Sequence, residues 1–203
     1  MVAKQIKNKT KDREATEERL LLAAEQIFSK FGFKGATTRM IAQKADINVA
    51  LITRYFDGKY GLLLKLVERK AIEMHETLLP YPAKSSVTEE CMAFAIHKYE
   101  YCINDIKFFR IVIAQFLTDP KFLKQFQEVL LTLETYTDFE TRLNILIENN
   151  KMVKDVPIKS VFETIETYVF GLIIGQIVDD LSNVEAKEKI KDFIRIYGKG
   201  LEK

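Results

Sequence analysis

The sequence has no Trp, two Cys, four Pro and eight Gly among its 203 residues. So few turn-forming residues exclude collagen-like, Pro-rich and turn-dense all-β designs. Two cysteines cannot build a disulfide framework, which fits a reducing cytosol. The longest uncharged apolar run, Tyr168 to Val178, is about half of the roughly 20 residues a membrane-crossing helix needs, so no membrane partner is expected. The N-terminus carries charges without a following apolar run, so no secretory signal is expected either. What is present in quantity is apolar and charged matter, at 47% and 30%. That is enough for a real core within one large domain or two small ones.

A net charge of +2 hides an asymmetry. Residues 1–70 hold 15 Lys/Arg against 8 Asp/Glu, whereas residues 71–203 hold 16 against 21. A polyanion, if one binds, belongs at the front.

The periodicity predicts an all-α chain of about nine helices. Residues 1–14 read as a mobile basic arm (Lys4, Lys7, Lys9, Lys11, Arg13), either a solubilising tail or a groove-tracking element. From Thr16, apolar residues recur at one-turn spacing as far as Phe31, and Gly32 stops that helix. Thr37 or Thr38 caps a short helix to Ala45. A turn at Asp46, Ile47 and Asn48 leads to another ending near Phe56; Asp tolerates the positive φ such a turn demands. Further helices are expected over 59–79, 87–104, 106–118, 120–149, 158–182 and 185–200, punctuated by Pro80, Pro82, Asp119-Pro120 and Pro157.

Residues 37–56 have the layout of a helix-turn-helix, with Ile47 pinning the corner. Helices this short need a shared core with the first helix, for which Phe28, Phe31, Ile41, Ile52 and Phe56 are the candidates. The outer face of 48–55 is then left to Asn48, Val49, Leu51, Thr53, Arg54 and Tyr55, on a helix whose diameter suits the DNA major groove.

The run GATTRMIAQKADINVALITRYFDGKYGLLL, from Gly35 to Leu64, resembles the signature of TetR-family transcriptional regulators. The likeness lies in the Thr pair opening the second helix, the Ile41-Ala42 step, the closing Tyr-Phe pair, and Lys59 followed by Gly-Leu-Leu. It implies a helix-turn-helix domain over 1–58 and an effector-binding, dimerising helical domain over 59–203. Position by position, it implies that Thr37 or Thr38 and Asn48 touch phosphate, that Val49, Ala50, Thr53 and Arg54 face the groove, and that Tyr55 lies along the sugar-phosphate edge. Lys59 would pair with phosphate at a helix start. Arg39 joins this set on charge and position, since Arg can fork onto guanine or onto phosphate. Where Val49 and Thr53 stand, the family often has Lys or Arg and Tyr, so unusual specificity or modest affinity is expected; Tyr60 stands where Glu is common, which weakens dipole complementarity at the start of the fourth helix.

The rest of the chain is rich in rings. Tyr99, Phe108, Phe109, Phe116, Phe126, Tyr136, Phe139, Phe162 and Tyr168 read first as core, and second as the lining of an apolar effector pocket. Gly171 and Gly175, one turn apart, each weaken a soluble helix by about 1 kcal/mol relative to Ala, so close helix approach should compensate. The resemblance places a dimer interface on the last two helices, here Tyr168, Gly171, Leu172, Gly175, Ile190, Phe193 and Ile194. His75 and His97 have no ligand at i, i+4, so no metal or cofactor is expected. Cys91 and Cys102 stand about 16 Å apart along one helix, too far for a disulfide. No catalytic constellation is present, so an enzyme is not expected. The expected partners are double-stranded DNA, a small effector and a second copy of the chain, giving a regulator released from its operator by ligand. The rival is an architectural DNA-binding protein that needs no ligand.

Overall fold

A computed structural model describes residues 2–75, 78–132 and 137–203. They form ten helices: α1 (Val2–Gly35), α2 (Thr38–Ala45), α3 (Ala50–Phe56), α4 (Lys59–His75), α5 (Val87–Asn104), α6 (Ile106–Thr118), α7 (Pro120–Thr132), α8 (Thr137–Glu148), α9 (Ile158–Val178) and α10 (Asn183–Leu201). Among the described residues there is no strand, only one antiparallel bridge between Met152 and Glu202. The all-α reading holds. The extra helix arises within 120–149, which divides into α7 and α8; residues 133–136 lie outside the described residues.

The N-terminal segment differs from expectation. Helix α1 begins at Val2, not Thr16. Arg13 Nε donates to Glu17 Oε1 at 2.6 Å and Thr16 Oγ1 donates back to the Asp12 carbonyl at 2.7 Å, both bonds within the helix. A polar segment lacking an apolar stripe can extend a helix that exists, because propagation avoids the cost of nucleation. At the other end Gly32 (φ 68°) breaks the helical path as expected. The chain then turns Phe33 toward Phe28 (ring centroids 5.7 Å apart) and leaves Phe31 43% exposed, so Phe33 takes the inner place expected of Phe31.

The helices pack as two units: Met1–Ile72 with Lys107–Leu133, and Glu73–Ile106 with Glu134–Lys203. This division differs from a boundary after residue 58. The first unit's core explains why: Leu62, Leu63, Leu66 and Val67 of α4 are buried in one cluster with Phe28, Ile41 and Ile52, and also with Phe108, Ile111, Val112 and Phe122 of α6 and α7. Ion pairs fasten α4 to α1, with Arg69 bound to Glu18 at 2.8 Å and Lys70 to Glu25 at 2.6 Å.

The second unit centres on α5, packed by α8, α9 and α10. Phe94 stacks on Phe139 at 4.1 Å and meets Phe162 at 5.8 Å. The α5–α10 crossing is close: a Cβ on Gly198 would lie 2.8 Å from Thr88 Cα. Ser182 and Glu185 form a reciprocal capping box at the start of α10. Two ionic groups are buried here, and both are paired. Glu90 binds Arg142 at 3.3 Å, and Lys98 binds Glu166 at 2.9 Å; an unpaired charge in such a place would be strongly destabilising. Desolvation lowers the Lys98 pKa, against the pull of Glu166. Cys91 and Cys102 are free and buried, and burial pushes both thiols up to about 12.

Helix α9, at 21 residues, is the one described helix long and apolar enough to cross a membrane. Its sequence includes Lys159, Glu163 and Glu166 in the first half, and Val161, Phe162, Ile165, Val169, Leu172 and Ile173 are buried within the unit.

Candidate nucleic-acid interface

The helix-turn-helix is assembled by caps and by two long cations. Thr37, with extended backbone, is the N-cap of α2 and accepts from Met40 N at 3.2 Å; Thr38 is the first helical residue. Asp46 ends α2 at φ 53°, the left-handed conformation its short polar side chain tolerates. Asn48 Oδ1 accepts from Ala50 N at 2.9 Å, satisfying a donor at the start of α3. Asp57 (φ 57°) and Gly58 (φ 95°) end α3.

Arg19 reaches across from α1 to the turn, donating to the Ala45 carbonyl at 2.6 Å and the Asp46 carbonyl at 3.2 Å. Those carbonyls belong to the frayed end of α2, where acceptors lack helical partners and a cation is favoured. Lys59 does the same for the end of α1, donating to the Phe33 carbonyl at 2.8 Å and the Ala36 carbonyl at 3.0 Å. Its ammonium also lies 4.5 Å from the Phe33 ring centroid. Two of its three N–H groups are therefore used inside the fold, where the sequence suggested a free phosphate ligand. No local pattern in the sequence marks Arg19 for this role.

The packing sorts α3 by face. Ile52 and Phe56 are buried, and Leu51 and Tyr55, expected on the outer face, are half-buried against the core. Asn48, Val49, Ala50, Thr53 and Arg54 are exposed, as are Thr37 and Arg39; Thr38 is half-buried. Arg39, Arg54 and Lys44 make no ion pair among the described residues. The Tyr55 ring lies against Phe56 at 6.5 Å, edge-on, and the Arg13 guanidinium sits 5.0 Å from its centroid. This is a seven-residue helix whose apolar side is fixed in the core and whose bare side carries Thr53 and Arg54, and it can present hydrogen-bond donors to a groove.

A family model described as "Bacterial regulatory proteins, tetR family" matches residues 20–66, the segment holding these caps and this bare helix face. Over residues 20–66 this chain is similar to the TetR family. Two Bacillus subtilis (strain 168) relatives agree. The "Probable HTH-type transcriptional regulator YttP" is 28% identical over 125 residues, which is 60% of this chain and 60% of that protein. The "Uncharacterized HTH-type transcriptional regulator YvkB" is 41% identical over 54 residues, 27% of this chain and 29% of its own. The chain thus spans less than two thirds of the length of either relative it matches. Among solved structures, a Rhodococcus sp. protein with a TetR-family designation superposes with TM-score 0.72 at 11% identity, covering 91% of this chain and 99% of its own. Salmonella enterica GusR does so with TM-score 0.64 at 15% identity, covering 91% and 95%. At such identities the likeness is one of fold.

The remaining residues singled out in the sequence fall in both packed units. Phe108, Phe109, Phe116 and Phe126 belong to the first packed unit, whereas Tyr99, Phe139, Phe162 and Tyr168 belong to the second, and Tyr136 lies outside the described residues. In the second unit Tyr99 and Phe139 are fully buried. The Tyr99 hydroxyl donates to Asn183 Oδ1 at 3.0 Å and accepts from Gln176 Nε2 at 2.6 Å, a polar anchor invisible in helical periodicity. Of the residues expected at a dimer contact, Leu172, Ile190 and Ile194 point inward and are 8%, 0% and 0% exposed. Tyr168 and Phe193 stack at 4.0 Å at the half-buried surface, Gly175 is half-buried, and Gly171 faces open space.

Proposed function

We propose that this chain is a homodimeric, DNA-binding transcriptional regulator, acting as a repressor released from a near-palindromic operator by a small apolar or amphipathic effector. One observation carries the DNA-binding part: the face of α3 that bears Thr53 and Arg54 is left bare by a fold that buries Ile52 and Phe56 and caps both ends of the helix. Groove contacts are assigned to Val49, Ala50, Thr53 and Arg54, and phosphate contacts to Thr37, Thr38, Arg39 and Asn48. Lys59 joins the phosphate set only through its third N–H, and Tyr55 through its exposed edge.

Dimerisation is supported by what α9 and α10 leave uncovered. Phe170, Val178, Val184 and Ile196 are 48%, 69%, 72% and 78% exposed, and Gly171 meets nothing in its own chain. A second copy packed here would take these side chains out of water. Two copies related by a twofold axis would set their recognition helices about 34–36 Å apart, matching successive major grooves. Ligand release requires a coupling of only about 1–3 kcal/mol, and α4 carries the chain out of the first unit after Ile72.

A ligand-independent architectural role is favoured by the packed state of Tyr99, Phe108 and Phe139, which leaves those rings filling a core. Selecting bound duplexes from a random pool, with sedimentation of the free protein, tests the main reading. A shared inverted repeat and a two-subunit mass support it; a monomer with no preference among duplexes refutes it. Repeating the selection with a panel of apolar carboxylates and amphipathic cations separates the two readings, since only a regulator responsive to such ligands loses its site.

A further inference from the structure

We infer that the N-terminal turns of α1 form a second DNA-contacting element beside the recognition helix, with Arg13 as its fixed contact to a backbone phosphate. The inference rests on the DNA-binding reading above and extends it to a segment outside the helix-turn-helix. Three observations combine. Helix α1 is continuous from Val2, so residues 2–15 are held in line with the helix that packs on α2. Arg19 ties α1 to the α2–α3 turn, and six residues earlier Arg13 lies over Tyr55 at the far end of α3. Side chains of α1 therefore reach the turn before the recognition helix and the residue near its end, and the first turns of α1 precede Arg13 in the same helix.

The chemistry of those turns suits a phosphate backbone. Residues 1–14 carry Lys4, Lys7, Lys9, Lys11 and Arg13 against Asp12 and Glu14. The nine steps from Lys4 to Arg13 rise about 14 Å, against a duplex that carries one charge per about 1.7 Å of axis. Arg13 is the ordered member. Glu17 takes its Nε–H at 2.6 Å and the Tyr55 ring supports one face of the guanidinium, yet the side chain remains 58% exposed. Its two terminal nitrogens are thus aimed by the fold and left for an acceptor outside it. Preorganisation of this kind lowers the entropy lost on forming a charge-assisted contact. Such contacts add affinity without reading bases.

The test uses the full-length chain and two probes: a duplex recovered by the parent protein from a random pool, and an arbitrary duplex of equal length. Arg13→Gln is expected to lower the slope of log affinity against log salt by about 0.9, the yield of one lost phosphate contact. Adding Lys4→Gln, Lys7→Gln, Lys9→Gln and Lys11→Gln should lower it by at least about 2 in all on both probes, with the ranking of sequences unchanged. Replacing the four lysines by Arg should keep the parent slope. Circular dichroism melting checks that each variant stays folded, and Arg13→Gln alone decides the matter if the multiple variant does not. An unchanged slope for Arg13→Gln overturns the inference. A parent that binds neither probe overturns the DNA-binding reading itself, which is a different result.

Discussion

The Lys59 ammonium donates to the Phe33 carbonyl at 2.8 Å, joining residues 26 positions apart and closing the end of α1 from the start of α4. With the companion bond to Ala36, it makes this lysine part of the fold of the first unit. Lys59→Met keeps the aliphatic stem and strands two carbonyls. It is expected to destabilise the first unit by about 2 kcal/mol, the scale of a hydrogen bond to a charged group. Loss of its third N–H from the phosphate set should also lower the salt slope of DNA binding by about 0.9. Urea unfolding and titrations at several salt concentrations measure the two effects separately.

Two glycines on helices give opposite expectations for the same substitution. A Cβ on Gly61 would lie 1.7 Å from the Phe56 carbonyl oxygen, which is backbone and cannot step aside. Gly61→Ala should separate α4 from the end of α3 at a cost above about 4 kcal/mol, the range of severe core disruption. Loss of the cooperative melt and of DNA binding would register it. Gly171 faces open space, so Gly171→Ala should stabilise an isolated protomer by up to about 1 kcal/mol through helix propensity. If α9 is the dimer contact, the same change weakens self-association, which sedimentation at several concentrations measures.

Arg54 is exposed and unpaired on the bare face of α3. Arg54→Ala is expected to weaken the selected duplex by about 1–3 kcal/mol and relax preference at one base pair, while leaving arbitrary duplexes less affected. Binding of every sequence with parent affinity would remove Arg54 from the readout set.

The two buried thiols give the second unit an alkaline limit. Burial raises Cys91 and Cys102 from 9.0 to about 12, so the folded state holds their protons over a range in which the unfolded chain releases them. Their contribution is therefore complete below about pH 9 and is lost as pH rises toward 12. Stability should fall by up to about 1.4 kcal/mol per pH unit for each thiol within that window. Melting from pH 8 to 10.5 checks the slope, and Cys102→Ala should make it shallower. The native protein should also resist thiol reagents at pH 8 and react fully once unfolded.

Much of this was legible in the sequence. The apolar spacing of α1 from Leu20 onward, the Thr37 cap, the turn at Asp46 and the helices over 87–104 and 106–118 follow from local rules, because each is decided by neighbours within one or two turns. What escaped the reading was decided at a distance. Nothing near Arg19 or Lys59 announces that their partners are carbonyls 26 or so residues away. The helical state of residues 2–15 escaped because a polar segment gives no periodic signal, although it can continue a helix formed after it. Of the candidate site, residue types on α3 could be named, but the half-burial of Tyr55 and Leu51 depends on a core completed by α4, α6 and α7. The aromatic residues were countable, whereas their assignment to one packed unit or the other was not.

The interleaving of Lys107–Leu133 with the first 72 residues constrains how this protein is made. During synthesis the leucines of α4 must wait on a nascent chain, without Phe108, Ile111 and Phe122, until roughly residue 133 has left the ribosome. A fragment cut after Ile72 would carry every groove-facing residue and still expose a greasy flank. An autonomous DNA-binding fragment should therefore require the two pieces to be spliced together.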